Sequence, residues 1–143
     1  MIAVDTNLLV YAHRSDSAFH LVAAERLREL AEGRRSWAIP WSCLHEFIAV
    51  VTHPRIFNPP SSPSQAIVQV EAWLDSPTIV LLSEGTGHRD RMIEALELGA
   101  LGPRVHDGRV YAVCAEAGVT ELWSADRDFS RFPLKVTNPL IGS

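Results

Sequence analysis

Short apolar segments alternate with helical segments along almost the whole chain, and this alternation constrains the fold more than any other feature. The strand-like segments are apolar throughout, as in Ile2-Ala3-Val4 and Trp37-Ala38-Ile39. Strands that are apolar on both faces are typical of a parallel sheet covered by helices on each side. The pattern therefore predicts an α/β fold, a three-layer α/β/α sandwich around a short parallel sheet of about four to five strands. The predicted strands are 2–4, 37–39, 78–82, 121–123 and 135–137.

Capping residues set the predicted helix boundaries. Ser17, Thr86 and Asp107 are each predicted to cap a helix, because their side-chain oxygens accept backbone N–H groups at helix starts. Ser62-Pro63-Ser64-Gln65 has the pattern of a capping box with proline in the first helical turn. The predicted helices are 6–13, 17–32, 42–52, 62–75, 86–99 and 107–117.

The composition fits one globular domain that spans residues 1–143. Hydrophobic residues make up 47% of the chain and charged residues 21%, which disfavours disorder. Cys43 and Cys114 lie among apolar neighbours and are predicted to be buried, reduced thiols, as is typical of the cytoplasm. No apolar run approaches the roughly 20 residues that cross a bilayer, and no signal peptide is visible. We therefore expect a cytoplasmic protein that is not inserted in a membrane.

Five carboxylates are predicted to lie at one edge of the sheet. Asp5 closes the first strand, Asp126 and Asp128 follow the fourth, Asp107 starts a helix, and Glu46 lies on the helix after the second strand. The apolar neighbours of Glu46 favour an inward orientation. Each acid also has an ordinary explanation, because Asp5 and Asp107 could be helix caps and the others exposed surface residues. In parallel sheets, however, ligands bind at the carboxyl ends of the strands.

Carboxylates that converge at such an edge repel one another unless a cation neutralises them. Oxygen ligands without a histidine or cysteine pattern favour Mg²⁺ or Mn²⁺ over zinc. An acidic site of this kind suits phosphodiester hydrolysis, because a bound metal activates water and stabilises the leaving oxygen. No side-chain nucleophile is then required.

The acids are carried by four short motifs in a defined order. They are Val4-Asp5-Thr6-Asn7, Leu44-His45-Glu46-Phe47, Asp107 with the following Val110–Ala115, and Trp123–Phe129. In order and spacing these motifs resemble those of PIN domains, and most of all the VapC toxins of bacterial toxin–antitoxin pairs. The resemblance covers nearly the whole chain. It implies a PIN-like fold and a metal-dependent endoribonuclease that uses Mg²⁺ or Mn²⁺.

The same resemblance implies the roles of particular residues. The implied catalytic acids and metal ligands are Asp5, Glu46, Asp107 and Asp126, with Asp128 as an accessory ligand. The implied supporting polar residues are Thr6, Asn7 and Ser124. Ser124 stands where threonine is more usual, and Gly108 stands where alanine is expected, which lowers helix propensity after the third acid.

Partners follow from the resemblance and from the arginine distribution. The resemblance implies an RNA substrate, a VapB-type antitoxin that covers the site, and a homodimer, with apolar contact surfaces on helices 17–32 and 43–52 near Phe57. Arginine suits phosphate binding because it forms two parallel hydrogen bonds. His45 and His106 each precede a candidate ligand, and one of them could be a general base or a phosphate contact. Neighbouring helix residues point about 100° apart, however, so neither need face the metal. The candidate RNA contacts are Arg14, Arg104, Arg109 and Arg127.

Two other functions remain open at this point. A haloacid-dehalogenase-like phosphatase also places an aspartate after its first strand, but Asn7 stands where its second aspartate belongs and Lys135 is the only lysine. A non-catalytic PIN-like binding module is disfavoured because all four acids are present. The net charge of -4 does not exclude RNA, because five of the 17 acids belong to the predicted site and the remaining 12 face 13 lysines and arginines.

Overall fold

The structure is a computed structural model that describes residues 1–141. Its centre is a five-stranded sheet in which every strand pair is parallel, so the predicted α/β fold is confirmed. The strands are β1 (Ile2–Val4), β2 (Trp37–Pro40), β3 (Ile79–Leu82), β4 (Glu121–Trp123) and β5 (Lys135–Thr137). Their order across the sheet is β3-β2-β1-β4-β5.

Six α-helices flank the sheet in the described part of the chain. They are α1 (Thr6–His13), α2 (His20–Glu32), α3 (Trp41–Val51), α4 (Pro63–Leu74), α5 (His88–Glu97) and α6 (Val105–Glu116). Short 3₁₀ helices cover Gly102–Arg104 and Arg127–Arg131. Within residues 1–141, no helix combines the length and the hydropathy that a membrane crossing requires.

The core lies on both faces of the central strands. Trp37 and Phe47 are fully buried, and burying a side chain of this size contributes roughly 2–3 kcal/mol to stability. The Trp37 indole N–H donates to Ser76 Oγ across 3.0 Å, so burial leaves its polar atom satisfied. Phe47 packs edge-on against Trp73, which joins α3 to α4. This packing fixes the helices that carry the acids against the sheet.

The strand order reverses beside β1. The chain runs from β1 to β2 and β3 on one side, then crosses to β4 and β5 on the other. Ligands of open parallel sheets bind at such a reversal, outside the carboxyl ends of the strands. The Asp5 N–H donates to the Trp123 carbonyl across 3.0 Å, so Asp5 lies where β1 and β4 end together.

Several helices begin at other residues than the sequence predicts. Helix α2 begins at His20, because the chain first forms a turn in which Ser17 Oγ accepts from the Phe19 N–H instead of capping the helix. Helix α6 begins at Val105, directly after a 3₁₀ turn, which places Asp107 in the first helical turn and not at the cap. The capping interpretation of Ser17 and Asp107 is therefore wrong.

Two further boundaries differ and one is confirmed. Helix α3 begins at Trp41 and not at Ser42, and α5 begins at His88 after Gly87, so Thr86 is not its cap. The capping box at Ser62 is confirmed, with both of its reciprocal hydrogen bonds present.

Gly108 has a packing role that the sequence does not reveal. A Cβ atom at this position would lie 2.8 Å from the Ala100 Cβ and 3.2 Å from the Ala95 Cβ, closer than carbon atoms approach without a shift. The glycine lets α6 lie close to α5. It thereby positions Asp107, the preceding residue, and the expected alanine would not fit without rearrangement.

Candidate active site

Asp5 is the buried centre of the candidate site, with only 7% of its surface exposed. Its Oδ1 accepts a hydrogen bond from the Thr6 N–H at 2.8 Å and lies 3.7 Å from the Cys43 thiol. Burial, with a smaller contribution from the charges of Glu46 and Asp107, raises the pKa of Asp5 from 3.8 to about 6. Asp5 is also the N-cap of α1, so the cap and the site residue are the same side chain.

Ser124 connects Asp5 with the loop that carries Asp126. Its Oγ donates to Asp5 Oδ2 at 2.7 Å and accepts from the Asp126 N–H at 3.0 Å. Asn7 completes the network, because its Nδ2 lies 3.4 Å from both Asp5 Oδ2 and Ser124 Oγ, and its Oδ1 accepts from the Ala125 N–H. Polar side chains that follow β1 and β4 thus hold the Asp5 carboxylate in one orientation.

Three further aspartates form a compact acidic cluster. One carboxylate oxygen from each of Asp107, Asp126 and Asp128 lies within 4.8 Å of the others. Asp126 also accepts from the Asp128 N–H at 2.8 Å, which begins the 3₁₀ helix in a segment predicted as loop. Burial raises the pKa of Asp107, and repulsion from Asp126 and Asp128 adds to the rise.

A cavity of about 340 Å³ brings the two groups of acids together. The cavity is lined by Asp5, Glu46, Asp107 and Asp126. Asp128 is exposed and is not among the lining residues. The predicted inward orientation of Glu46 is wrong, because Glu46 is exposed on α3. It reaches the cavity from the solvent side, which explains why it lines the site without being buried.

The rest of the cavity wall is largely apolar. Its apolar lining residues are Val10, Val50, Ile56, Phe57 and Val110. Thr6 also lines the cavity, and its buried Oγ1 has no hydrogen-bond partner among residues 1–141. A buried hydroxyl without a partner is costly and indicates a site that an ion, water or ligand completes.

The predicted RNA-contact arginines do not form one surface. Arg109 forms an ion pair with Glu84 and lines a neighbouring cavity that shares Glu46 and Asp107 with the acidic one. Arg104 and Arg127 are exposed. Arg109 thus lines a cavity together with Asp107, and Arg127 lines another cavity together with Asp126.

Arg14 lies elsewhere, at a second cavity on the other side of Phe57. Its guanidinium carbon is 4.2 Å from the centre of the Phe57 ring. Arg14 pairs with Asp16 and does not contact the acids. Arg14 is therefore close to Asp5 in sequence but lines a different cavity, and its role as an RNA contact stays a prediction.

Three residues near the acids were not singled out as site residues by the sequence. The Cys43 thiol faces Asp5, although its apolar neighbours indicate only a buried small side chain. His106 lines the cavity despite its position beside Asp107 on the helix. Arg131 lowers the pKa of Asp107 by its charge, and its Nε donates to the Asp128 carbonyl at 3.1 Å. A basic residue one helical turn after an acidic loop is the only sequence signal for this last contact.

The sequence profile of the PIN domain matches residues 2–135 of the chain. The chain belongs to the PIN-domain family. Two curated relatives are each 38% identical to this chain over 144 residues. They are the VapC ribonuclease Mb2897 of Mycobacterium bovis and ribonuclease VapC43 of Mycobacterium tuberculosis. Both alignments cover 99% of this chain and 97% of the relative. Ribonuclease VapC33 of Mycobacterium tuberculosis is 32% identical over 142 residues, covering 98% and 99%. The chain is therefore a VapC-type PIN domain.

Solved structures agree with this fold. The Mycobacterium tuberculosis VapC20 toxin, described as cleaving the sarcin–ricin loop, superposes with a TM-score of 0.66 at 18% identity, covering 91% of this chain and 93% of that one. VapBC2 of Rickettsia felis, solved with a promoter DNA fragment, gives a TM-score of 0.68 at 19% identity, covering 96% and 98%. At these identities the two structures support the PIN-domain fold.

The residues of this PIN domain fit a hard divalent cation. All candidate ligands are carboxylates, which Mg²⁺ and Mn²⁺ prefer. A cation would relieve the raised pKa values of Asp5 and Asp107, because a positive charge favours the ionised carboxylates.

Proposed function

We propose that this VapC-type PIN domain is a metal-dependent endoribonuclease that hydrolyses RNA phosphodiester bonds and acts as the toxin of a toxin–antitoxin pair. The observation that carries the proposal is the cluster of three aspartate oxygens within 4.8 Å, which shares a cavity with the buried Asp5. The 38% identity to VapC ribonucleases supports the choice of RNA as the substrate class.

Asp5, Asp107 and Asp126 would hold the cation, with Glu46 and Asp128 at the exposed side. Mg²⁺ or Mn²⁺ in such a site, when bound, lowers the pKa of a water molecule and neutralises charge at the phosphodiester. This chemistry requires no side-chain nucleophile. Cys43 is unsuited to that role, because burial raises the pKa of its thiol well above the usual value.

The chain's own residues orient the carboxylates and shape the site. Ser124 and the Thr6 N–H hold the two oxygens of Asp5, so its carboxylate needs little reorganisation to bind a cation. The side chains of Val10 and Phe57 exclude water from one side of the cavity, which strengthens the electrostatic interactions inside it.

We also propose the partners that the family relationship suggests. A VapB-type antitoxin would cover the acidic cavity, and two copies of the chain would form a homodimer. Exposed apolar side chains are available for both contacts on α2 and α3, including Leu21, Val22 and Ile48. Residues 1–143 would act as one functional unit in the cytoplasm.

Cleavage of RNA by metal-depleted and metal-supplemented protein tests the proposal. Purified protein is treated with EDTA and then assayed with a mixed pool of single-stranded RNA, with and without Mg²⁺ or Mn²⁺. We expect metal-dependent cleavage by the native protein, loss of at least about 100-fold in Asp126→Asn, and no change in Asp90→Asn, whose side chain is 82% exposed.

Three outcomes contradict the proposal or its assignment of the acids. Binding of RNA without cleavage in any metal indicates a binding module. Release of phosphate from p-nitrophenyl phosphate without RNA cleavage indicates a phosphatase. Full cleavage by Asp126→Asn would show that the acids are assigned wrongly.

A further inference from the structure

A second cavity, of about 670 Å³, lies between the end of α1 and one face of α4. Its size falls within the range of small-molecule sites, roughly 300–1,000 Å³. Phe57 lines the acidic cavity, and the Arg14 guanidinium that lines the second cavity sits against the Phe57 ring at 4.2 Å. The Phe57–Arg14 pair therefore forms a partition between the two cavities.

The Arg14 guanidinium is held in place and its charge is balanced. Its Nε and Nη2 donate to the two carboxylate oxygens of Asp16 at 2.9 and 2.7 Å, and its Nη1 donates to Ser61 Oγ at 3.3 Å. Only 12% of the side chain is exposed. Because Asp16 already neutralises Arg14, the guanidinium offers the cavity a planar surface without the excess positive charge that would bind a phosphate.

Uncharged polar groups line the opposite side of the cavity. His13 Nδ1 lies 3.2 Å from Gln69 Oε1, and His13 Nε2 lies 2.9 Å from Ser61 Oγ. Burial lowers the pKa of His13, and the nearby charges of Arg14 and His20 add to this, so the ring is neutral at pH 7. The His13 contact uses Gln69 Oε1, and Gln69 Nε2 makes no other hydrogen bond among residues 1–141, although Gln69 lines the cavity.

We propose that this second cavity binds one nucleobase of the RNA substrate, adjacent to the phosphodiester that the acidic cavity cleaves. The inference rests on the proposed ribonuclease function. Unpaired RNA bases are recognised by stacking on aromatic or arginine planes and by hydrogen bonds to their edges. The Arg14 guanidinium that lines the cavity would supply the plane, and the Gln69 amide would supply the polar edge.

The lining favours a base over the other parts of an RNA strand. A phosphate group would need an unbalanced cation, and Arg14 is already paired with Asp16. A base is planar and neutral, and it matches a wall that combines a guanidinium plane with amide and hydroxyl groups. Because Arg14 lines the second cavity and packs on Phe57, which lines the acidic one, the two cavities are neighbours, as a base and its adjoining phosphodiester are.

Mapping of cleavage sites tests whether the cavity selects a base. RNA ends are sequenced after a random single-stranded RNA pool is cleaved by the native protein and by Val68→Trp, which places an indole into the cavity wall. Ile67→Trp is the matched control, because the neighbouring Ile67 does not line the cavity and both residues are exposed, at 54% and 64% for Ile67 and Val68. Both variants should therefore fold.

We expect the native protein and Ile67→Trp to share a base preference at one fixed position beside the cut. Val68→Trp should lose it, and Gln69→Ala should weaken it by about tenfold, as expected for one lost hydrogen bond to a buried group. An unchanged preference in both Val68→Trp and Gln69→Ala would overturn the inference, although the ribonuclease function would stand.

Nucleoside binding provides a readout that does not depend on cleavage. Adenosine, guanosine, cytidine and uridine are titrated in turn into the native protein, and chemical-shift changes at Gln69 and Ser61 are followed by NMR. Saturable shifts with one nucleoside, absent in Val68→Trp and with inorganic phosphate, support the base site. Chemical-shift changes with inorganic phosphate alone would overturn the base site. Nucleoside binding that is unchanged in Val68→Trp would overturn it as well.

Discussion

Replacement of Asp5 by asparagine should stabilise the metal-free protein although it removes a central site residue. Folding raises the pKa of Asp5 from 3.8 to about 6, mainly through burial. Each pKa unit corresponds to about 1.4 kcal/mol, so ionised Asp5 destabilises the folded state by about 3 kcal/mol well above pH 6. Asparagine loses the charge-assisted hydrogen bond from Ser124, which costs about 1 kcal/mol. The net expected gain for Asp5→Asn is about 2 kcal/mol at pH 8.

The gain should depend on pH with a defined sign. The folded state holds the Asp5 proton more tightly than the unfolded chain does, because its folded pKa is the higher one. The stability that this proton contributes is fully present below about pH 4 and is lost as the pH rises through about 6. Asparagine does not titrate, so the advantage of Asp5→Asn should grow from pH 4.5 to pH 8.

Urea denaturation of EDTA-treated protein at pH 4.5, 6 and 8 measures this difference. Asp90→Asn serves as the matched control, because it makes the same chemical change at a side chain that is 82% exposed and far from burial. Added Mg²⁺ should stabilise the native protein and remove the advantage of Asp5→Asn, since binding to the folded state alone raises stability. A difference between Asp5→Asn and the native protein that stays the same at all three pH values would refute the burial argument.

Three other substitutions have expected outcomes. Gly108→Ala should destabilise the protein by about 1–3 kcal/mol in thermal or urea denaturation, because the new Cβ would meet the Ala100 Cβ, and an unchanged midpoint would contradict the packing argument. Ser124→Ala should weaken Mg²⁺ binding, measured by calorimetry, by about 10–100-fold because Asp5 loses its orienting donor, whereas Ser124→Thr should retain it. Ser62→Ala should lower the free energy of unfolding by about 1 kcal/mol through loss of the capping box, without affecting cleavage.

The sheet and the positions of the acids could be predicted because both depend on local patterns. Strands such as Trp37–Pro40 are buried on both faces, and continuous apolar residues record that burial directly. Asp5 and Asp126 follow such strands, so a parallel sheet brings them to one edge. Their roles as ligands and catalytic groups stay predictions.

Helix starts were less predictable because a cap depends on the turn that precedes it. Ser17 has the right side chain for a cap, but the turn at Ser17 uses that side chain for the Phe19 N–H. Contacts between distant residues were hidden for a related reason. The Cys43 thiol reaches Asp5 across 38 positions, and Arg109 pairs with Glu84 across 25, and neither pairing has a local pattern.

The position of β1 between β2 and β4 has a consequence for synthesis of the protein. Asp5 is synthesised long before its neighbours Ser124 and Asp126, which belong to the segment that follows β4. A growing or prematurely ended chain can therefore present Asp5, Glu46 and Asp107 without the partners that orient and complete them. The complete acidic site forms only when β4 pairs with β1. The strand order thus makes assembly of the complete acidic site wait for the synthesis of β4, late in the described chain.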